Sequence, residues 1–297
     1  MRPVRLRRLR RNAKIREWVS QTQLSPRDII LPYFVTSGKG VKKPVKSMPG
    51  VYHLSVDNMI KDLSNVRGIK AILLFGISRK KDAFASTAYE KSGVVQNAIK
   101  AIKCRYKDLV VITDVCLCGY TPHGHCGIAK NNAKFIVDND ATLEILSKIA
   151  LSHAASGADF VAPSAMMDGQ VKAIRMSLDS SGFKDTGILS YSAKFASAFY
   201  KPFRDALNSA PKFMGRESYQ LDYRNVDQAL REVEQDIAEG ADITMIKPAL
   251  AYLDIIHRVK EKFNIPLAAY NVSGEYNMIK MLAAEAKKRN TISRWKS

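Results

Sequence analysis

Short apolar runs alternate along this chain with segments whose apolar residues recur every three or four positions. The runs are IILPYFV (29–35), AILLFG (71–76), LVVITDV (109–115), ADFVAPS (158–164), GILSYSA (187–193), DITMIKP (242–248) and PLAAYNV (266–272). They are rich in Ile, Val, Leu and aromatic residues, and Gly, Pro, Asp or Asn bound them. Most lack polar–apolar alternation, the texture of a strand covered on both faces. Between them, ATLEILSKIALSHAASG and NVDQALREVEQDIAEG read as helices, the second stopped by Gly240.

Strand alternating with helix implies parallel pairing. A chain of 297 residues with this rhythm predicts an α/β fold of the (β/α)8 TIM-barrel type, which takes about 250 residues plus insertions. A doubly wound open sheet is the alternative, but no Gly-rich phosphate loop follows the first strand. The pattern yields seven strands rather than eight: after YNMIKMLAAEA the chain continues as KKRNTISRWKS, basic and polar. The eighth strand is therefore expected to be missing or replaced, which would leave two sheet edges unpaired. The expected organisation is a basic N-terminal arm (1–25), a barrel catalytic domain (26–285) and a divergent basic tail (286–297).

Charge changes this picture little. The formal net charge is +19 and the pI near 9.8, which raises nucleic acid or an anionic membrane as a partner. The basic residues are densest at the two ends, and no zinc-finger, RNP or helix-turn-helix pattern accompanies them. The expectation is an arm that is solvated or contacts another subunit, with no nucleic acid and no membrane as partner. No apolar run approaches the roughly 18 residues of a membrane helix. MRPVRLRRLRRNAKIREW has no apolar signal core. A cytoplasmic location is expected; an organelle is the alternative, because the arm is Arg-rich and has no acid before Glu17. Four cysteines are too few for a disulfide framework in a chain of this size.

In such barrels the reacting groups sit at the C-terminal ends of the strands. Asp114 and Cys116 end the third run, Ser164 the fourth, Lys247 the sixth, and Tyr270 and Ser273 the seventh, while Lys194 follows the fifth. DVCLCGYTPHGHCG (114–127) holds Cys116, Cys118 and Cys126 beside His123 and His125. A turn can fold the third thiol back onto the first two, and three thiolates leave a fourth position of a zinc ion open, as in catalytic sites. Three core thiols with two turn histidines is the other reading of the same spacing. Cys104, on a helical segment, reads as a buried structural thiol. A lysine at an apolar strand end loses solvation, and a second ammonium nearby lowers its pKa further. The resulting neutral amine can attack a ketone to form a Schiff base; an ion pair with a nearby acid is the alternative role. Arg204 and Arg216 carry guanidinium groups that fit carboxylates, although surface arginines are common. Together these point to carbonyl chemistry on a keto acid. A single-lysine aldolase would need neither the second lysine nor a metal.

From about Arg7 to about Glu285 the chain resembles the porphobilinogen synthase (5-aminolevulinate dehydratase) family. RRLRRN, LSPRDIILPYFV, SMPGVYHLS, DVCLCGYTPHGHCG, PSAMMDGQV, SYSAKFASAFYKPFRDA, EGADITMIKPALAYLDI and AAYNVSGEYNMIK carry the resemblance. It implies a barrel enzyme that condenses two 5-aminolevulinate molecules to porphobilinogen in tetrapyrrole (heme) synthesis. By the same match Lys194 and Lys247 form the Schiff bases, and Lys247 holds the substrate that supplies the acetyl side of the product. Cys116, Cys118 and Cys126 would hold zinc, assisted by Asp114. Arg204, Arg216 and Gln220 would lie at a substrate carboxylate or the lid. Ser273 and Tyr270 would contact the substrate acids, with Ser164 and Tyr200 lining the pocket. Glu232 matches an allosteric magnesium position, and the arm matches one that wraps a neighbouring subunit in octamers. The intact thiol triplet implies the zinc-dependent type.

Three departures stand out. Lys201 replaces a usual Gly before PFRD, and MGRESYQ replaces a more basic stretch near the lid. Family members also continue past AAE with a further helix and a strand whose tyrosine helps bind a substrate carboxylate. A truncated, poorly active or inactive remnant of the enzyme is thus the alternative reading.

Overall fold

The computed structural model of the chain describes residues 3–131 and 136–288. The apolar runs form strands where the pattern places them. These are β1 (Ile30–Thr36), β2 (Ala71–Ile77), β3 (Val110–Val115), β4 (Phe160–Pro163), β5 (Gly187–Lys194), β6 (Ile243–Lys247) and β7 (Leu267–Ala269). They belong to one nine-stranded sheet ordered β7–β6–β5–β4–β3–β2–β1, then Tyr52–Ser55 and Lys42–Pro44. Every neighbour pair from β1 to β7 is parallel. The crossover helices include Val94–Arg105, Asn139–Ala154, Gln170–Ser180, Val226–Glu239 and Leu253–Lys262. The helix before β6 stops at Gly240, whose φ of +105° is a backbone state that favours glycine.

Alternate residues of each strand feed two apolar layers, which explains why the runs lack polar positions. Phe34, Leu73, Phe75, Ile112, Ala162, Leu189, Tyr191 and Met245 pack together inside the barrel. Val35, Ile72, Leu74 and Val111 pack outward with helix residues Ile99 and Ile102. Each fully buried side chain of this size contributes roughly 1.5–3 kcal/mol. Removing water from both faces leaves the C-terminal strand ends as the place where polar side chains gather.

Among the described residues no strand follows β7, and no strand pairing joins β7 to β1. Side chains connect the two sides instead. From the helix Ser273–Lys288, Tyr276 donates to the Pro49 carbonyl at 2.6 Å and Asn277 to the Ser47 carbonyl at 2.8 Å. Residues 286–288 of the expected tail continue that helix; the rest of the tail lies outside the described residues. In the N-terminal arm, a 3-10 turn (Leu6–Arg10) and a short helix (Ala13–Trp18) bury no residue. No helix among the described residues is long and apolar enough to cross a membrane.

One sequence expectation fails. Cys104 is exposed, because its helix buries Val95, Ala98, Ile99 and Ile102, and position 104 lies off that face. Two short antiparallel pairs, Lys42–Pro44 with Tyr52–Ser55 and Ile128–Asn131 with Ile136–Asp138, lay below the reach of the pattern.

Candidate active site

Lys194 and Lys247 end β5 and β6, and their Cα positions are register partners. Both side chains are buried. The Lys247 Nζ lies 3.8 Å from the centre of the Tyr270 ring, 5.0 Å from Tyr191 and Phe203, and 5.5 Å from Tyr200. The Lys194 Nζ lies 5.5 Å from the same Tyr191 ring and donates to the Ser164 carbonyl. Burial in this aromatic cage, followed by repulsion from Lys194, pushes the Lys247 amine down to about 7. Desolvation disfavours the ammonium more than the ring faces favour it.

The next strand ends supply an acid. Ser164 donates from Oγ to Asp114 Oδ1 at 2.6 Å, so one residue touches both the carboxyl and, through its carbonyl, Lys194. Burial raises Asp114 to about 6, against the lowering effect of that hydrogen bond. Asp114, Cys116, Cys118, Ser164, Lys194 and Lys247 line one cavity, which Tyr200, Phe75, Phe203, Arg204 and Arg216 complete.

The three thiols converge. The Sγ atoms of Cys116, Cys118 and Cys126 lie within 4.8 Å of one another, and those of Cys116 and Cys118 are 3.5 Å apart. Thiolates held about 2.3 Å from a tetrahedral ion sit roughly 3.8 Å apart, so the cluster fits zinc with little adjustment. The Cys126 thiol is held well below its ordinary range because it accepts from Cys116 and Cys118, with Arg216 and Lys194 adding positive charge. Cys116 is pushed up by the same hydrogen bonds. The arrangement already favours one thiolate, the form a metal needs.

Residues 209–220, the stretch that the resemblance places at a lid, pack onto the loop that carries this cluster. Arg216 is buried, and its Nη2 donates to the Gly124 carbonyl at 2.8 Å and the Ser209 carbonyl at 2.9 Å. Gly124 has a φ of +73°, and a Cβ there would meet the Ala210 carbonyl at 2.6 Å, so glycine lets the lid approach the cysteine loop. Arg204 lies near Tyr200, 5.7 Å from its ring. Its Nε and that of Arg216 are buried without a hydrogen-bond partner among the described residues.

Not every candidate joins this cavity. Gln220 and Glu232 line a separate, larger one with Asp168, Asp236 and Ser192. Both amide atoms of Gln220 are buried without a partner among the described residues. Burial and nearby Asp168 raise the Glu232 carboxyl. The Ser273 hydroxyl is engaged by backbone, accepting from Phe203 N and donating to the Phe199 carbonyl, each at 3.0 Å. Tyr200 donates to the Phe195 carbonyl at 2.7 Å, fixing its ring beside Lys247. Lys201 is exposed and pairs with Asp205 at 3.3 Å.

Sequence reading missed three residues that shape the site. Tyr191 lies beneath both lysines. Phe203, one residue before Arg204, closes the cage. Glu275, fully buried, accepts from the backbone N–H of Leu250 and Val272 at 2.7 Å and of Ala249 at 3.3 Å. It thereby ties the turn after Lys247 to the turn after β7. An acid two residues past Ser273, in a helix's first turn, was the available signal.

The family described as delta-aminolevulinic acid dehydratase matches residues 3–292 of the chain. A relative of that name from Methanothermus sociabilis is 59% identical over 278 residues, which cover 93% of this chain and 86% of the relative. One from Synechococcus elongatus is 52% identical over 282 residues, 94% of this chain and 86% of the relative. Among solved structures, the Toxoplasma gondii delta-aminolevulinic acid dehydratase in complex with its reaction product porphobilinogen superposes with a TM-score of 0.91. It is 41% identical and covers 97% of this chain and 82% of its own. The chain therefore belongs to the delta-aminolevulinic acid dehydratase (porphobilinogen synthase) family.

Proposed function

We propose that the chain condenses two 5-aminolevulinate molecules to porphobilinogen, with loss of two waters, through Schiff bases on Lys194 and Lys247. The observation that carries this reading is the register pairing of two buried lysines on a cavity shared with two of the three clustered thiols. A neutral amine is needed to attack a ketone, and the Lys247 amine, held at about 7, supplies one near neutrality. Attack forms a C–N bond; loss of the hydroxyl as water then leaves the imine. That hydroxyl needs a proton, and Asp114, raised to about 6, is poised to give one directly or through Ser164. Tyr270, Tyr191 and Phe203 keep water from the Lys247 amine and hold it against one face of the bound ketone. Arg204 and Arg216 supply guanidinium groups for substrate carboxylate, and Ser273 orders the strand-end turn beside them through its bonds to Phe203 N and the Phe199 carbonyl. Gln220, with both amide atoms unpartnered among the described residues, is a candidate polar contact from the second cavity.

Cys116, Cys118 and Cys126 would hold zinc, which when bound supplies Lewis-acid polarisation of a substrate oxygen. Glu232, with Asp168 beside it in the second cavity, is the candidate for magnesium, in a cavity that neither lysine lines. The basic arm, which leaves Leu6 and Trp18 exposed, would dock on another copy in a homo-oligomer of the octameric kind. Free thiols at this site call for a reducing, cytoplasm-like compartment.

The test is a colorimetric assay for porphobilinogen with zinc and a thiol reductant present. Product that disappears on chelation and returns with zinc supports the reading. Absence of product from folded, zinc-loaded protein overturns it.

A further inference from the structure

The apolar anchor of the lid is Tyr219, which packs against the barrel core, rather than its tip. At its tip, Phe213 is 56% and Met214 76% exposed, and Met214 has a φ of +41°, a strained state for a side chain of that size. Three polar anchors hold it, and they land on three consecutive residues of the cysteine loop, His123, Gly124 and His125. Lys212 N donates to the His123 carbonyl at 3.1 Å. Arg216 donates to the Gly124 carbonyl. The third anchor is His125, which is 1% exposed.

His125 Nε2 lies 2.7 Å from the Phe213 carbonyl. A carbonyl only accepts, so Nε2 carries the hydrogen, and Nδ1 of the neutral ring is an acceptor. The Tyr219 hydroxyl, 3.1 Å from Nδ1, therefore donates to it. Its oxygen can in turn accept from Cys126 N, 3.4 Å away. The resulting chain runs from the backbone of Cys126 through Tyr219 and His125 to the tip of the lid.

We propose that His125 is a positioning residue that, with Tyr219, latches residues 209–220 over the lysine cavity, acting on substrate retention rather than on the bond-making step. This inference rests on the reading of that cavity as the reaction site. The lid, anchored on both sides of its tip, closes onto the loop that carries Cys126, so lid position and thiol geometry share one set of hydrogen bonds.

The experiment is amide hydrogen exchange read by mass spectrometry on peptides spanning 209–220, in the full chain without added metal or substrate, alongside steady-state kinetics. His125→Ala should speed exchange of the lid peptides by roughly tenfold, the loss of one to two hydrogen bonds, while peptides of β2 and β3 stay as in the parent. KM for 5-aminolevulinate should rise by a similar factor, with kcat within about threefold. His125→Gln, whose amide N–H can reach the Phe213 carbonyl, should restore part of the protection. Tyr219→Phe, which removes one oxygen, should loosen the lid even if His125→Ala does not fold. Lid exchange unchanged in Tyr219→Phe, or loss of protection shared equally by the barrel strands, overturns the latch. Exchange needs no turnover, so absence of product from the parent chain would sink the proposed reaction while the lid peptides still decide this inference.

Discussion

Lys194 and Lys247 face each other across adjacent parallel strands only because β5 carries a bulge. Ser190 pairs with Thr244 and Ala193 with Ile246, so Tyr191 and Ser192 together oppose Met245. Leu189 and Tyr191 point into the barrel, and a regular two-residue period would place Ala193 inside and Lys194 outside. The extra residue shifts the period by one. Ala193 packs outward with Ile246, and Lys194 joins Lys247 on the inner side.

This pairing sets the reactivity of Lys247. In metal-free protein its amine should lose its proton with a midpoint near 7, measurable by pH-dependent acylation and mass spectrometry. Lys194→Met removes the repulsion that helps depress Lys247, so the midpoint should move up and the neutral fraction at pH 7 should fall. A midpoint that stays in place or moves down would contradict the coupling. The effect on stability has the opposite sense to that of a salt-bridged lysine. Between about 7 and the ordinary lysine pKa of about 10.4, the unfolded chain binds the proton that the folded chain does not. Stability therefore rises with pH through that window, and is lost toward its lower end.

Asp114 is assigned the proton that leaves with water. Asp114→Asn keeps the shape but cannot donate as a carboxylic acid, so kcat should fall by about 10²–10⁴-fold. Ser164→Ala, which removes only the hydroxyl at 2.6 Å, should have a smaller effect. Near-parental turnover of Asp114→Asn would remove this residue from the proton path.

The thiol cluster should bind one zinc per chain. Cys126→Ser should weaken that binding by more than about 100-fold, exceeding the 10–100-fold typical of outer-shell changes. Affinity should also weaken as the pH is lowered, because protons compete for the thiolates. Zinc titration by isothermal calorimetry at two pH values checks both. Parental affinity in Cys126→Ser would mean that the cluster is only a core feature.

Glu275 organises the strand ends without facing the cavity. Glu275→Gln replaces an acceptor by a donor opposite backbone N–H groups. It should cost about 1–3 kcal/mol of stability and reduce the rate of Lys247 modification by loosening the turn at Ala249 and Leu250. Thermal unfolding and acylation rates, measured together, separate this from a purely structural role: an unchanged Lys247 rate in a destabilised variant would leave Glu275 structural alone.

The strands and their parallel order were legible because each run is apolar on both faces, and the reactive residues fell at strand ends by position alone. The spacing of Cys116, Cys118 and Cys126 left convergence as one of two readings, and the lysine pair was suggested only by its place at successive strand ends; the clustering itself comes from the fold. Other features depended on contacts that no local pattern encodes. The β5 bulge is invisible in SYSAK, where Tyr191 reads as one more strand aromatic. Gln220, close in sequence to Arg216, lines a different cavity, because the backbone turn that bonds Tyr219 N and Gln220 N to the Arg216 carbonyl separates the two side chains. Cys104 was misjudged because helical spacing marks the buried face only when Ala98, Ile99 and Ile102 are weighed together. His125 reads as a turn residue in sequence because its partners, Phe213 and Tyr219, lie 88 and 94 positions further along the chain.

The central claim is that both lysines are amine nucleophiles on one cavity. The most direct measurement is borohydride reduction in the presence of 5-aminolevulinate, followed by peptide mass mapping. The account predicts adducts of substrate mass on Lys247 and Lys194 and on no other lysine, with Lys247→Met abolishing its own adduct and product formation together. Recovery of both lysines unmodified from folded, zinc-loaded protein would contradict it.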